Sequence, residues 1–533
     1  MDLLTKLRGL TYLGLRTLLR TVTYSLSRDA IERRHGSRRP TPPDAPVGEV
    51  REAVRTARGA IFRFDAAELE VVFLAPDLAR FTWTPGALPV PYAIAKDDWT
   101  AVEPAWTARD GAWEVSTADL HVTVARDGSV TLRSGGRVLR EDLPPVRRGD
   151  GWAHRSRPRA DARHFGLGER ACPFDLTGGT FRLWNSEAEG AYGPQKDPLY
   201  LCVPVWLTVH GDGSMLTFFE DPSRGRVTFR DPVEASFDGG ALRYYAIPGP
   251  ADRALDRYTE LTGRPSMPPR WALLFHQSRW SYMDEAEVRE VADGFASRGL
   301  PLSAIHLDIH YMDGHRVFTV DPRRFPDMAG LARDLDAKGV KLVAILDPGV
   351  KVDPAYDAYR EVVGRKAACT LPDGRPATAL VWPGTCVFPD FTAPAAREWW
   401  AERYRFFAEN GLAGAWHDMN EPAAFAAWGD PTLPLAVRHS MEGRGGDHVE
   451  AHNLYALLEA RAGYEGLMRN RPDRRPWILS RSGWAGLQRW AWNWTGDSES
   501  DWWTLAQTVR MVMALGLSGV PYTGADVGGF GGG

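Results

Sequence analysis

Two textures of apolar and polar positions divide the chain. From about residue 60 to 250 the runs are short, alternate apolar with polar residues, and break at glycine turns. Leu120-His121-Val122-Thr123-Val124 passes through Arg126-Asp127-Gly128-Ser129 into Val130-Thr131-Leu132, the pattern of a hairpin. Asp212-Gly213 and Asp238-Gly239 are turn signals beside Leu216–Phe219 and Leu242–Ala246. After the proline-rich joint Arg264-Pro265-Ser266-Met267-Pro268-Pro269 the texture changes to apolar runs separated by long helical stretches, as in parallel β/α structure. The runs are Ala272–Phe275, Ala304–Ile309, Lys341–Leu346, Gly414–Trp416, Trp477–Leu479, Trp490–Trp494 and Gly519–Thr523.

Almost every one of these runs ends in polar or charged residues: Gln277 and Arg279, Asp308, Asp347, Asp418, Arg481, Asp497 and Asp526. Chemistry placed after the carboxyl ends of successive strands is the (β/α)8 arrangement. The pattern therefore predicts a basic helical extension over 1–45, an antiparallel β-sandwich over 46–262, and a TIM-type (β/α)8 barrel over 263–533. Only seven strand runs are found before the closing glycines, so a barrel incomplete after its seventh strand is expected, without any C-terminal β-domains.

Composition narrows the class. At 533 residues the chain exceeds what one core holds, and 44% hydrophobic with 25% charged residues is an ordinary globular balance. A net charge of −4 gives no reason to expect nucleic acid as a partner. No run approaches the length of a membrane span, so integral insertion is not expected. The first forty residues carry nine Lys/Arg against three Asp/Glu, with Leu3, Leu4, Leu7, Leu10, Leu15, Leu18 and Leu19 near helical spacing. Arg16 and Arg20 interrupt what would be a signal-peptide core. A helix packed on the body or on another subunit is the expectation, which leaves a homo-oligomer open, with attachment to a membrane surface the alternative. Cys172, Cys202, Cys369 and Cys386 have no CxxC spacing, which favours a reducing, cytoplasmic setting.

The chemistry concentrates in Trp416-His417-Asp418-Met419-Asn420-Glu421 and, about eighty residues on, Trp494-Thr495-Gly496-Asp497. Each places a carboxylate at the end of an apolar run beside tryptophan. Cleaving a glycosidic bond needs one carboxylate at the anomeric carbon, one carboxylic acid at the leaving oxygen, and aromatic faces to hold the sugar. Tryptophan is plentiful at 21 residues; Trp382, Trp416 and Trp494 are candidate sugar-facing rings, with Phe530 beside them. Arg481 could hold Asp418 ionised or bind a sugar hydroxyl. Read as a strand, the second run puts His306, Asp308 and His310 on one face and Ile305, Leu307 and Ile309 on the other. Three such groups on an inward face could bind a metal, though no further histidine pair appears at other strand ends. The expectation is no metal and no cofactor.

FGLGER (165–170), LWNSEA (183–188), LDIHYMDGHRVFTVDPRRFPD (307–327), VWPGTCVFPDF (381–391), WHDMNEP (416–422), SRSGWAGLQRW (480–490), WNWTGDSESDW (492–502) and GVPYTGADVGGF (519–530) together resemble the family 31 glycoside hydrolases. The resemblance spans about 365 residues in order. It implies Asp418 as nucleophile and Asp497 as general acid/base of a retaining α-glycosidase, with Asn420 and Glu421 in support. It also implies Asp308 hydrogen-bonding the far hydroxyls of the sugar with Ile309 beside it, Arg481 contacting the sugar, and Arg279, Trp280, Tyr282 and Asp526 as subsite walls. Two departures concern the rim. Glu187 stands where the family sends an Asp over the site, and His310 replaces an Asp.

The expected function is an α-glucosidase releasing glucose from the non-reducing ends of short α-glucosides. α-Xylosidase or transglucosylase activity is the runner-up within the family. A metal-dependent barrel hydrolase and a non-catalytic carbohydrate-binding fragment are the readings from other classes.

Overall fold

The structure, a computed structural model, describes residues 3–35, 43–188 and 190–531, with side chains from residue 18 onward. The amino-terminal half is built from two large sheets, one of ten strands and one of eight, antiparallel throughout. Glu68–Ala75 shows why they face each other: Leu69, Val71, Phe73 and Ala75 are buried while the residues between them reach the surface, so period two segregates one apolar face. That face meets Phe62, Phe81, Trp83, Val122, Val124, Trp152 and Tyr244 in a shared core. Phe81 stacks on Tyr244 at 4.7 Å, and the predicted hairpin forms as His121–Ala125 and Val130–Ser134. Each such ring contributes about 1.5–3 kcal/mol by leaving water.

The second half is a seven-stranded parallel sheet among the described residues: β1 (His276–Gln277), β2 (Ala304–Leu307), β3 (Lys341–Leu346), β4 (Gly414–His417), β5 (Ile478–Ser480), β6 (Trp492–Trp494) and β7 (Thr523–Gly524), paired in chain order. Leu342 through Leu346 are all buried, as expected where helices cover one face of a parallel strand and the other faces a core. Aspartates start the outer helices: Asp284, Asp327 and Asp501 accept from the backbone N–H of Glu287, Gly330 and Thr504 at 2.9, 2.8 and 2.7 Å.

Four details differ from the sequence reading. The run Gly519–Thr523 pairs only over Thr523–Gly524, because Gly519, at φ 86°, still belongs to the turn that ends the preceding helix. The first run does not form a strand over Ala272–Phe275. The chain leaves Pro268-Pro269 in a 3-10 turn over Arg270–Leu273, Leu273 and Leu274 are about 60% exposed, and pairing begins only at His276. β2 stops at Leu307, because the Asp308 carboxylate accepts from the Ile309 N–H at 2.6 Å and caps a 3-10 turn over Ile309–Tyr311. His310 is therefore off the strand, and His306 pairs instead with His276, Nε2 to Nδ1 3.0 Å, so the three-ligand face does not form.

The two halves share a core in which Leu199, Val203 and Phe218 of the sandwich pack with residues of the barrel strands. Gly168 N–H donates to Ser518 Oγ at 2.9 Å, and Gln507 Nε2 to the carbonyls of Arg170 and Cys172 at 3.0 and 2.8 Å. The amino-terminal helix α1 (Leu3–His35) lies against the barrel through its second half. The side chains of Leu3, Leu4, Leu7, Leu10, Leu15 and Arg16 lie outside the described residues. No described helix is long and apolar enough to cross a membrane.

Candidate active site

β4 delivers its last residues to the carboxyl end of the sheet, where Asp418 emerges and Met419 takes a left-handed φ of 57°. The Met419 N–H donates to Asp418 Oδ1 at 2.8 Å, fixing the carboxylate over its own turn. Asn420, buried, donates to Glu459 Oε2 and Ser480 Oγ at 2.9 and 3.0 Å and accepts from the Ser482 N–H at 3.1 Å. It ties the end of β4 to the end of β5 rather than facing the cleft.

Arg481, following β5 and only 1% exposed, collects the charge of this turn. Its Nε is 3.0 Å from Asp418 Oδ1; Nε and one terminal nitrogen bind the two oxygens of Glu421 at 2.9 Å each; that same terminal nitrogen lies 2.7 Å from Glu187 Oε2 of the sandwich. The guanidinium also lies over the Tyr200 ring at 4.6 Å. Burial alone would depress an arginine, but these three carboxylates hold it firmly cationic.

Asp497 follows β6 on a turn that only glycine permits. Gly496 has φ 64°, and a Cβ there would sit 2.1 Å from the Tyr200 ring. The Asp497 carbonyl accepts from the Tyr192 N–H at 3.0 Å, so a sandwich loop steadies this segment, while Phe530 and Gly531 donate to the Ser498 carbonyl from the loop after β7. Burial raises the Asp497 carboxyl well above the ordinary carboxylate range, and its side chain makes no ion pair among the described residues. Burial raises Asp418 as well, opposed by Arg481 and the Met419 N–H.

Other carboxyls crowd the same end of the sheet. Burial, reinforced by the nearby charge of Asp418, pushes Asp308 up to about 8 and Asp526 up to about 7, and raises Asp347 well above its usual value. Asp308 is 6% exposed. Burial thus favours the protonated form of these groups, which donates as well as accepts.

The aromatic candidates separate into two groups. Trp416 and Trp494, on β4 and β6, meet edge to face at 5.6 Å. Trp382 packs edge to face on Phe425 at 4.9 Å and lies 5.8 Å from Trp280, forming an outer wall on loops after β1, β3 and β4. Phe530, 44% exposed, stands in the loop after β7. Tyr282, expected as a wall, and Ile309, expected beside Asp308, are both buried, at 1% and 2% exposure, Tyr282 beneath the Arg279 guanidinium at 4.7 Å. Tyr200 escaped sequence reasoning because nothing in its local pattern marks a ring destined for a guanidinium. Asp347 does carry a signal in the sequence, its place at the end of the run that forms β3, the same position that Asp308 and Asp418 hold on neighbouring strands.

Residues 265–533 match the family model described as "Glycosyl hydrolases family 31 TIM-barrel domain", and residues 68–227 the "Glycosyl hydrolase 31 N-terminal galactose mutarotase-like domain". Among curated proteins the chain is similar to "Alpha-glucosidase 2" of Bacillus thermoamyloliquefaciens, 42% identical over 375 residues, 69% of this chain and 47% of that protein. It is also similar to "Alpha-glucosidase" of Saccharolobus solfataricus, 36% identical over 390 residues, 68% and 55% of the two. The chain thus spans about half the length of the curated relatives it matches. Among solved structures its fold is like that of a Flavobacterium johnsoniae dextranase complexed with glucose, with TM-score 0.84, 23% identity, and 91% and 61% of the two chains covered. An α-xylosidase from a soil metagenome complexed with xylose gives 0.79, 21%, 90% and 73%.

Proposed function

The chain belongs to glycosyl hydrolase family 31, and from that premise we propose that it carries the catalytic centre of a retaining α-glucosidase. The observation that carries the reading is the division of labour between two carboxyls. Arg481 pairs with Asp418 and favours its ionised form; Asp497 makes no ion pair among the described residues, and burial, with the charges of Glu187, Asp418 and Asp526, keeps its proton against the pull of Arg481. A retaining glycosidase needs that pairing of a nucleophilic carboxylate and a protonated acid, set about 5–5.5 Å apart.

In the first step the Asp497 proton passes to the glycosidic oxygen as its bond to the anomeric carbon breaks, and a carboxylate oxygen of Asp418 bonds to that carbon. In the second, Asp497 takes a proton from water, the water oxygen attacks the same carbon, and Asp418 leaves. Two inversions return the α configuration. Asp308 and Asp347, the deep carboxyls after β2 and β3, would bind the hydroxyls of the non-reducing sugar. Glucose is favoured over xylose because the curated relatives at 36–42% identity are named α-glucosidases. The likeness to the xylosidase, at 21% identity, speaks for fold alone.

The same reading extends to the frame. Seven parallel strands with open edges at β1 and β7 among the described residues support an eight-stranded closed barrel as the working form. The division into an extension over 1–45, a sandwich over 46–262 and a barrel from 263 is supported by the partition of strands and by the two family matches. Four unpaired cysteines support a cytoplasmic location.

The test is release of p-nitrophenol from the aryl α-D-glucoside and α-D-xyloside by this chain and its Asp418→Ala variant, with a chelator present. Glucoside turnover that disappears in the variant is the expected result. Turnover that persists in Asp418→Ala, or that the chelator abolishes, would reject the assignment.

A further inference from the structure

The second half of α1 does more than cover apolar surface. Arg28, 4% exposed, donates from one terminal nitrogen to the Asp430 carbonyl at 2.7 Å and from the other to the Trp428 carbonyl at 2.6 Å. Ser25, fully buried, accepts from the Ala427 N–H at 2.9 Å; Tyr24 donates to the Thr432 carbonyl at 2.7 Å; Trp428 Nε1 donates to Asp29 at 3.0 Å. Five contacts thus fall on one stretch, 427–432, of the loop after β4. The seat is shaped for the guanidinium, since a Cβ at Gly429 would lie 2.4 Å from an Arg28 nitrogen, and φ there is 77°.

That loop carries a wall of the site. Phe425 N–H donates to the Leu380 carbonyl at 2.7 Å, and its ring meets Trp382 edge to face, with Trp280 beyond. α1 also packs against the strand Thr378–Val381, which leads directly into Trp382. One helix therefore backs both elements whose rings form the wall. The far side of the loop is held by the sandwich, where Arg182 pairs with the Asp430 carboxylate at 3.1 Å. Trp280 is 39% exposed and Trp382 half-buried, whereas Asp308 and Asp347 are buried at 6% and 4%, so the rings lie nearer solvent than the deep carboxyls.

From this arrangement we infer that Arg28 and Tyr24 are positioning residues: α1 clamps the Phe425–Trp382 wall from behind and thereby sets how tightly the leaving-group side of a longer α-glucoside is held. The inference rests on the proposed glycosidase reading. A sugar stacked on such a wall gains only when the rings are already in place, because ordering them on binding subtracts from affinity.

Two measurements on the full chain test it. Amide hydrogen exchange is compared between the unaltered protein, Arg28→Ala and Tyr24→Phe/Arg28→Ala. Faster exchange confined to 378–387 and 423–435 is expected; unchanged exchange there overturns the clamp. Steady-state kinetics then compare α-glucosyl fluoride, whose leaving group is one atom, with maltotriose. The expected result is a KM for maltotriose raised about fivefold at unchanged kcat, roughly the loss of one well-placed contact, with both constants for the fluoride within about twofold. Equal effects on both substrates, or none on maltotriose, would overturn the positioning role. Should the unaltered protein fail to hydrolyse the fluoride, the glycosidase reading falls, while the exchange data still decide whether α1 clamps the wall.

Discussion

Arg481 Nε and Asp418 Oδ1 lie 3.0 Å apart, yet the guanidinium is shared among Asp418, Glu421 and Glu187. One buried cation serves three carboxyls, and burial raises Asp418 and lifts Glu421 to about 7, so none of the three can lose that partner without consequence. Because Glu421 binds bidentately, it fixes the orientation of the fork, and Asp418 meets an arginine already held in place.

Replacing Arg481 by methionine removes the cation and leaves buried carboxylates facing one another. A loss of about 3–5 kcal/mol in unfolding free energy is expected, the size seen when one member of a buried pair is deleted. Arg481→Lys keeps the charge but not the fork, and should recover part of the stability while activity stays low. Urea unfolding with parallel kinetics reads both, and a lysine variant as active as the original would reject the orienting role.

The rate should trace a bell against pH whose two limbs both lie above the ordinary carboxylate range. On the acid side activity falls as Asp418 takes up its proton, and burial has raised that step. On the alkaline side it falls as Asp497 loses its proton, a step raised by burial and by the charges of Glu187, Asp418 and Asp526, with Arg481 opposing. kcat/KM for the aryl glucoside is the observable. In Asp497→Ala the alkaline limb should vanish, with a loss of about 10²–10⁴-fold for poor leaving groups and less for fluoride. An alkaline limb that survives this substitution would assign it to another group.

Asp308 makes a stability prediction of its own. Its carboxyl ordinarily titrates near 3.8, but in the folded chain burial, with the charge of Asp418, moves it to about 8. Between those values the folded state holds a proton that the unfolded state has released, so stability is greatest below the lower value and declines as pH rises through the upper one. The slope contributed is up to about 1.4 kcal/mol per pH unit. Asp308→Asn should flatten the thermal midpoint against pH between about 4 and 8; an unchanged slope would mean that Asp308 is ionised throughout.

Much of this was legible because the barrel repeats one rule. Apolar runs such as Lys341–Leu346 mark buried parallel strands, and whatever polar residue ends the run arrives at the functional rim; Asp308, Asp418, Arg481, Asp497 and Asp526 all followed from it. The rule fails where local chemistry competes with it. Asp308 caps a turn and so ends β2 early, which took His310 off the strand; Pro268-Pro269 delay β1, which left Leu273 and Leu274 in water. Long-range partners leave no local trace at all. Nothing in the pattern around Tyr200 or Arg28 reports a guanidinium stacked on the ring or a loop some 400 positions away, because such contacts are decided by the packing of whole elements.

Glu187 tests the joint between the two halves. It belongs to the sandwich, yet its Oε2 is 2.7 Å from an Arg481 nitrogen and its side chain is only 14% exposed. Glu187→Asp keeps the charge and withdraws it by one methylene, which breaks direct contact unless the loop follows. The loop is not free to do so: Asn185 beside it donates to the Gly483 carbonyl at 2.8 Å, and its own N–H donates to Asn453 at 2.9 Å. A charge that remains nearby but out of reach should cost kcat/KM about fivefold for the aryl glucoside, and Glu187→Gln, with full reach but no charge, a similar amount. Reach and charge are both required only if the contact itself orients Arg481. If either variant matched the unaltered chain, the sandwich would serve merely as a cover for the barrel.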